Sequence, residues 1–428
     1  MTERIPCQTE GCSATILPGT AAKTGGICMP CHQEQERKKR QAYIEENRKT
    51  VNLYEGLTDP VEILKVMHAP KKHDPLIKYV PHTVRIEQMY ISLSEQEAAR
   101  MLNYAIECLA DHNEDEAEDI LLSLVCYRND NIADALPELI QLGLFHHPIL
   151  FKDASQEIRD QLINRVNWDE DNRNHLLLAF GWIGDEVVIE QFREWQMQPP
   201  TWTEQLYVPP ETYALDGGWE LTLDGERRDL VNPLCYAIRQ ADERNDKFTE
   251  GQHAHFLETS DSTCPWCNRK LTKLVDIAAS HPALRYLDLQ METLQVITCD
   301  LCGAFSTIYM ELGNGVPVWS RYNEEPDYLP DMDDIDSTIE LSPRLVLSKE
   351  PQSQYYAAEW TMSQLDSQIG GHPSWVQDAE YPVCPCCERR MQFLGQVDYA
   401  DFDKYGEGIL YLFICPEDRM TATTYQQS

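Results

Sequence analysis

The chain of 428 residues contains 42% hydrophobic and 25% charged residues, which fits a soluble globular protein. Its length predicts two to three domains. No apolar run reaches the roughly 20 residues of a membrane helix, and the first residues lack the apolar core of a signal peptide. We therefore expect a cytoplasmic protein, in which paired cysteines bind metal rather than form disulfides.

The net charge of −35 is unevenly distributed along the chain. Residues 1–85 contain 13 Lys and Arg against 10 Asp and Glu, whereas residues 86–428 contain 23 against 61. A surface that acidic repels nucleic acid and attracts basic protein. Two interpretations remain open: the charge only keeps the protein soluble, or an acidic face docks a basic partner.

Residues 1–50 predict a small zinc module with a basic helix. A segment this short cannot bury an adequate core unaided, so a metal is expected to stabilise it. The β-branched residues beside Gly and Pro predict a short hairpin between two cysteine pairs. His32 could compete as a ligand, but four cysteines complete a tetrahedral zinc site. The predicted zinc ligands are Cys7, Cys12, Cys28 and Cys31.

A basic run, Arg37-Lys-Lys-Arg40, follows the zinc module. Such a run can contact nucleic acid. The neighbouring glutamates instead favour a solvated helix that leaves the module. Residues 68–82 contain three prolines among polar residues and predict a linker.

Residues 86–200 predict a block of helices. Ser94 and Glu97 have the spacing of a capping box, and apolar residues follow at helical spacing. Apolar blocks recur about every 40 residues, which is the period of HEAT-like helix pairs. An ordinary helical bundle would give a similar pattern. Cys108 and Cys126 lie on the apolar stripes and are expected in the core, and Pro199-Pro200 should end the block.

Residues 201–428 predict a mixed α/β domain with zinc ribbons. From Thr201 aromatic and β-branched residues predict strands and hairpins, whereas Arg227–Phe248 predicts a helix. Residues 323–338 predict an acidic loop, and two interpretations remain open: it is merely solvated, or it contacts a basic partner.

Two CxxC pairs in this domain, separated by 31 residues, predict a four-sulfur structural zinc site with strands at Leu294–Thr298 and Phe305–Met310. Gly303 is expected in a knuckle turn that needs a positive φ. The predicted ligands are Cys264, Cys267, Cys299 and Cys302.

The last 70 residues resemble a known family. The motifs are Gln368-Ile-Gly-Gly-His-Pro-Ser-Trp-Val-Gln377, Tyr381-Pro-Val-Cys384-Pro-Cys-Cys387, Met391-Gln-Phe-Leu-Gly-Gln-Val-Asp398 and Ala422-Thr-Thr-Tyr-Gln-Gln. They resemble the YwqG-like bacterial family, and a related signature occurs in the carboxy-terminal domain of programmed-cell-death protein 2. The resemblance implies a mixed α/β domain, often zinc-bearing and without a well-established enzymatic activity. It also implies a link to toxin–immunity loci or to the escort of other proteins.

Cys384, Cys387 and Cys415 have the layout of a third ribbon. The family pattern implies a second cysteine after Cys415, where this chain has Pro416-Glu-Asp-Arg419. Asp418 stands at the expected offset, and a carboxylate can bind zinc. Alternatively, the fourth ligand is Cys386 or a water molecule, or the site holds no metal.

A multidomain α+β protein with two structural zinc sites and an uncertain third is therefore expected. The chain contains no phosphate-binding loop, no nucleophile elbow and no HExxH helix, so we predict no enzyme. The leading hypothesis is an immunity protein that occludes the active site of a basic bacterial toxin. An acidic escort for a basic client such as a ribosomal protein is the first alternative.

A zinc-dependent enzyme is the second alternative, with His372 as the candidate base near the third site, although a histidine before proline in a turn is more typically structural. A nucleic-acid reader is the third, and the negative charge of residues 86–428 opposes it.

Overall fold

A computed structural model describes residues 4–241, 254–313, 316–329, 344–359, 367–401 and 406–427. The chain divides into two compact units, residues 1–85 and 86–428. Together they give a mixed α and β fold. No helix in these described ranges combines the length and apolar character that crossing a membrane requires. The predicted domain bounds at residues 50 and 200 stay predictions.

The first unit consists of short strands and three helices. Its strands are β1 (Ile5–Pro6), β2 (Thr15–Ile16), β3 (Lys49–Val51) and β4 (Ile77–Tyr79), and its helices are α1 (Pro18–Thr24), α2 (Met29–Asn47) and α3 (Pro60–His68). Strands β1 and β2 pair antiparallel, and β3 and β4 pair parallel. The predicted linker over residues 68–82 is therefore wrong where β4 forms.

The hairpin expected between the cysteine pairs is also wrong in part. Its residues include strand β2 but continue into helix α1. Pro18 occupies the first turn of α1, where its fixed φ suits a helix, and Gly25 ends the helix with φ 70°. Proline and glycine thus delimit a short helix here rather than two turns.

Helix α2 contains the basic run. None of its residues is buried, and Glu34 and Glu36 pair with Arg37, Lys38 and Lys39 along its surface. The glutamates therefore neutralise part of the basic charge on a solvated helix.

The second unit begins with helices. They are α4 (Ile86–Ser92), α5 (Glu95–Ala110), α6 (Glu114–Arg128), α7 (Leu136–Leu142), α8 (Gln156–Arg165), α9 (Arg173–Ile183) and α10 (Glu186–Met197). The capping box is confirmed: the carboxylate of Glu97 accepts from the Ser94 backbone N–H at 2.8 Å, and the Ser94 hydroxyl caps Glu97 in return. Cys108 and Cys126 are buried.

Strands dominate the rest of the second unit. They are β5 (Trp219–Leu221), β6 (Arg227–Asp229), β7 (Asn232–Gln240), β8 (Ala254–Thr263), β9 (Lys270–Ala278), β10 (Thr293–Thr298), β11 (Ile308–Glu311), β12 (Val318–Trp319), β13 (Leu345–Leu347), β14 (Gln368–Gly371), β15 (Gln392–Asp398), β16 (Ile409–Cys415) and β17 (Met420–Gln426). An antiparallel eight-stranded sheet has the order β12-β11-β17-β16-β15-β14-β7-β13, and β10-β9-β8 form a second sheet.

Two secondary-structure predictions after residue 200 are wrong in part, although β5 and β6 form one of the predicted hairpins. Residues 201–205 and 210–215 form 3₁₀ helices rather than strands, and each begins next to a proline. Strand β7 replaces the helix predicted over Arg227–Phe248, of which 242–248 lie outside the described residues. Strand β7 pairs with both β14 and β13, and its residues Cys235–Ile238 are buried. The segment is therefore a strand although its apolar residues have helical spacing, because pairing in the sheet outweighs the local preference.

Helix α9 contacts the residue that follows β14 of the large sheet and also the hairpin β5–β6. The rings of Trp182 on α9 and His372 after β14 are 4.3 Å apart, and Trp219 donates from Nε1 to the Gly181 carbonyl at 2.7 Å. The sheet interior is apolar, and β16 is buried over its whole length. This sheet carries part of the third group of candidate metal ligands, since Cys415 ends β16 and Cys384 and Cys387 precede β15.

Candidate metal centres

The first cysteine cluster is assembled by local turns of the first unit. Hairpin β1–β2 holds Cys7 and Cys12, and Cys28 directly precedes α2, whose first turn contains Cys31. The sulfurs of Cys12 and Cys28 are 3.8 Å apart. His32 is not part of this cluster.

The backbone already favours a thiolate in the first cluster. The N–H of Cys28 lies 3.2 Å from Sγ of Cys7, and it lowers the pKa of that thiol to about 6. Thiolates, not thiols, bind metal ions. The cluster is also the core of this part of the chain, since Ile16 and Ile27 are the buried side chains that pack against it.

The second cluster lies where three strands end. Cys264 and Cys267 form the turn between β8 and β9, and Cys299 and Cys302 follow β10. Sγ of Cys264 is 3.8 Å from Sγ of Cys302, and Sγ of Cys267 is 3.6 Å from Sγ of Cys299. Hydrogen bonds with the thiols of Cys299 and Cys302 lower the pKa of Cys264, so this cluster too holds a thiolate readily.

The positive φ of this cluster occurs at a different residue from the one predicted. Gly303 is not among the described residues with positive φ, and it lies in a 3₁₀ turn, Cys302–Ala304. Instead Asn268, directly after the first pair, has φ 58° and donates its N–H to the Cys264 carbonyl. Asparagine tolerates this conformation better than most residues.

The third cluster repeats the turn of the second. The N–H of Cys384 donates to the Arg389 carbonyl at 2.8 Å, as that of Cys264 does to Arg269. Glu388 has φ 58°, as Asn268 does in the second cluster. The two turns share the pattern Cys-Pro-x-Cys-x-Arg, a repeat visible in the sequence that the prediction missed.

Asp418 completes the third cluster. Its Oδ2 lies 3.2 Å from Sγ of Cys384 and 3.4 Å from Sγ of Cys415, while Cys387 and Cys415 are 3.8 Å apart. Hydrogen bonds with the thiols of Cys387, Cys384 and Cys415 lower the pKa of Asp418, which keeps it a carboxylate. Burial raises the pKa of Cys384 to about 11. Asp418 therefore brings a negative charge to the cluster.

The two other residues considered for the third site lie elsewhere. Cys386 is exposed and does not join the cluster. His372 is 2% exposed, its ring faces Trp182, and burial lowers its pKa to about 4. This environment keeps His372 neutral and structural, and the structure does not group it with the third cluster.

The three clusters have the dimensions of a tetrahedral zinc site. In each, the four ligand atoms lie within 4.8 Å of one another. Two sulfurs bound to one zinc at about 2.3 Å are about 3.8 Å apart. The observed separations match this value: Cys12–Cys28 3.8 Å, Cys264–Cys302 3.8 Å, Cys267–Cys299 3.6 Å and Cys387–Cys415 3.8 Å.

A further group of candidate ligands has no counterpart in the sequence analysis. Glu118, His146 and His147 lie together in the helical part of the second unit. No spacing rule reveals them, because the residues come from elements 28 positions apart and only the packing of α6 against the loop before Pro148 unites them.

The fold and the clusters define a class: a two-unit α and β protein with three thiolate-rich centres compatible with zinc. Residues 367–428 match a family model described as a domain of unknown function, DUF1963. The chain is 38% identical over 437 aligned positions to a protein of Salmonella typhimurium strain LT2 named uncharacterized protein YpfL, and the alignment covers 100% of both chains. It therefore belongs to the YpfL family. No solved structure matches it.

Proposed function

We propose that this protein binds three structural zinc ions and uses the acidic surface of its second unit to hold a basic protein. The dimensions of the three clusters support the zinc part of the proposal. Four-ligand thiolate-rich sites with no open position are structural rather than catalytic. On this basis we propose a binding protein rather than an enzyme.

The observation that carries the proposed partner is the exposed negative charge of residues 86–428. Glu186, Glu190 and Glu194 are exposed and follow each other every fourth residue along α10, which aligns them on one helical face. Glu324 and Glu325 are exposed in the described part of the acidic loop, of which residues 330–338 lie outside the described ranges. A surface of this kind accelerates encounter with a cationic protein.

Many basic side chains of the second unit are already engaged within it. Arg128 pairs with Asp130 at 2.7 Å, Arg159 with Asp185 at 2.6 Å, and Arg165 with Asp169 at 2.6 Å. Because these arginines are paired within the second unit, they do little to neutralise the other carboxylates of its surface. This part of the chain contains 61 acidic and 23 basic residues, so carboxylates are in large excess.

A basic bacterial toxin domain is the partner that we propose first. The resemblance of the carboxy-terminal motifs to the YwqG-like family supports it, as does a helical block that, if its helices stack as HEAT-like repeats, offers an extended docking face in the cytoplasm. An escort for a ribosomal protein uses the same charge complementarity and is the alternative outcome of the test.

Co-expression with a basic toxin encoded beside the gene is the decisive experiment. We expect restored growth, and a complex that weakens as salt rises because the contact is electrostatic. A triple change of Glu186, Glu190 and Glu194 to Gln should weaken the complex while zinc content stays constant. Binding that ignores both salt and this change would contradict the acidic docking surface, and capture of ribosomal protein without rescue would favour the escort.

A further inference from the structure

A side-chain cluster in the helical part of the second unit combines a carboxylate with two imidazoles. Glu118 belongs to α6, and His146 and His147 precede the 3₁₀ helix Pro148–Phe151. The three candidate ligand atoms lie within 4.8 Å of one another. Oε2 of Glu118 is 3.0 Å from Nε2 of His146.

The carboxylate of Glu118 is only half satisfied by this contact. Its side chain is 8% exposed, and its Oε1 atom is buried without a hydrogen-bond partner in the part of the chain that the structure describes. A buried oxygen of this kind normally has a partner, because leaving it without one costs the full desolvation penalty. An ion pair between Glu118 and His146 alone leaves Oε1 unsatisfied, whereas a cation among the three side chains accounts for it.

A second carboxylate orients the neighbouring imidazole. Oε2 of Glu359 lies 3.5 Å from Nδ1 of His147. Metal-binding histidines typically have one ring nitrogen on a carboxylate while the other faces the metal. Glu359 therefore fits the outer shell of a cation site, as a positioning residue.

The donor set points to a cation that differs in its environment from those of the thiolate clusters. Two imidazoles and one carboxylate suit divalent first-row transition metals such as zinc, cobalt or iron. Three protein ligands leave a coordination position for water, and the side chain of His146 is 48% exposed, so water can reach it. This is the pattern of an open site rather than a closed structural one.

We propose that Glu118, His146 and His147 form a fourth metal site, which takes a divalent transition cation and keeps one position open to water. The site is independent of the three cysteine clusters and of the partner proposed above. It rests on the distances within the cluster and on the buried, unsatisfied oxygen of Glu118.

Cobalt titration of the full chain, loaded beforehand with three equivalents of zinc and no more so that the thiolate clusters take the zinc and the fourth site stays available, tests the proposal. We expect about one further equivalent of Co²⁺ to bind and to give visible bands without the thiolate-to-cobalt charge-transfer band. Glu118→Gln and His147→Asn should each weaken binding at least tenfold, and Glu359→Gln about 10–100-fold. His146→Asn should weaken binding as well. Because the side chain of His146 is half exposed, this change should leave the core intact, so that weaker binding here is not a result of misfolding.

His255→Asn is the matched control. His255 also pairs with a glutamate, since its Nδ1 lies 3.1 Å from Glu258 Oε1, but it has no third ligand among the described residues. This variant should bind cobalt as the parent does. Absence of cobalt binding, a charge-transfer band that shows displacement of zinc from thiolates, or equal affinity in all variants would overturn the proposal.

Discussion

Oδ2 of Asp418 lies 3.2 Å from Sγ of Cys384, in the position that the Cys302 sulfur takes 3.8 Å from Cys264 in the second cluster. A carboxylate thus replaces the fourth thiolate of an otherwise repeated turn. A Zn–O bond is shorter than a Zn–S bond, at about 2.0–2.2 Å against about 2.3 Å, so the smaller separation fits the change of ligand.

The Asp418 carboxylate is therefore expected to act as a ligand. Asp418→Ala should lower the zinc affinity of the third cluster at least about tenfold, since even outer-shell partners contribute this much. Asp418→Cys should restore it, because it recreates the four-sulfur set of the second cluster. Chelator competition measures both affinities. Glu350→Gln, at an exposed carboxylate outside the cluster, is the control, and equal affinity of all variants would remove Asp418 from the ligand set.

Two adjacent cysteines offer a second test of the third cluster. Cys387→Ser should reduce the bound zinc by about one equivalent, as it removes a ligand of a structural site. Cys386→Ser should leave zinc content unchanged, because Cys386 is exposed and outside the cluster. Elemental analysis of the purified variants gives the counts. The reverse pattern would show that Cys386, not Cys387, binds the metal.

Removal of metal should unfold the first cluster selectively. Its small core consists of the cysteines themselves with Ile16 and Ile27, and such a segment does not fold without a metal. A strong chelator should therefore expose Lys23 in α1 to trypsin, while β16 in the interior of the large sheet stays protected from hydrogen exchange. Protection of α1 in fully metal-free protein would contradict this expectation.

Burial of neutral His372 predicts a pH dependence of stability. Its pKa is about 4 in the folded protein, below the value of about 6.5 in the unfolded chain. The unfolded chain therefore binds the proton first, so the free energy of unfolding falls as pH drops from about 6.5 to about 4. The full effect is about 3 kcal/mol.

Denaturant unfolding over this pH range should show a shallower decline for His372→Gln than for the parent. His255→Gln, at an exposed position of the same unit, should keep the parental slope. Parallel slopes for the parent and His372→Gln would show that His372 does not carry the effect.

Gly370 and Gly303 should respond differently to alanine. Gly370 has φ 70°, and a Cβ atom there would lie 1.9 Å from the Leu234 carbonyl oxygen, so Gly370→Ala should destabilise the protein by more than about 1 kcal/mol. At Gly303 the nearest atoms to a Cβ are 3.5 Å and 3.8 Å away, and the φ is not positive. Thermal unfolding should therefore show little change for Gly303→Ala, and a large loss there would contradict the observed turn.

The sequence by itself determined the three sets of candidate metal ligands that the structure brings together, because pairs of residues with two to four positions between them meet in local turns. The capping box of α5 was predictable for the same reason, since Ser94 and Glu97 act within one turn. The sequence left Asp418 and Cys386 as alternatives, and the structure groups Asp418 with the three cysteines.

Only the tertiary structure decided the features that depend on distant segments. Strand β7 has a helical pattern but pairs with β13 and β14, more than 100 positions away, and their hydrogen bonds outweigh local preference. His372 owes its neutrality to burial, which lowers its pKa, and the ring of Trp182 that lies against it is remote in sequence. The fourth group of ligands arises only where α6 meets the loop before Pro148, because side-chain chemistry at a site depends on which segments pack together and not on spacing along one of them.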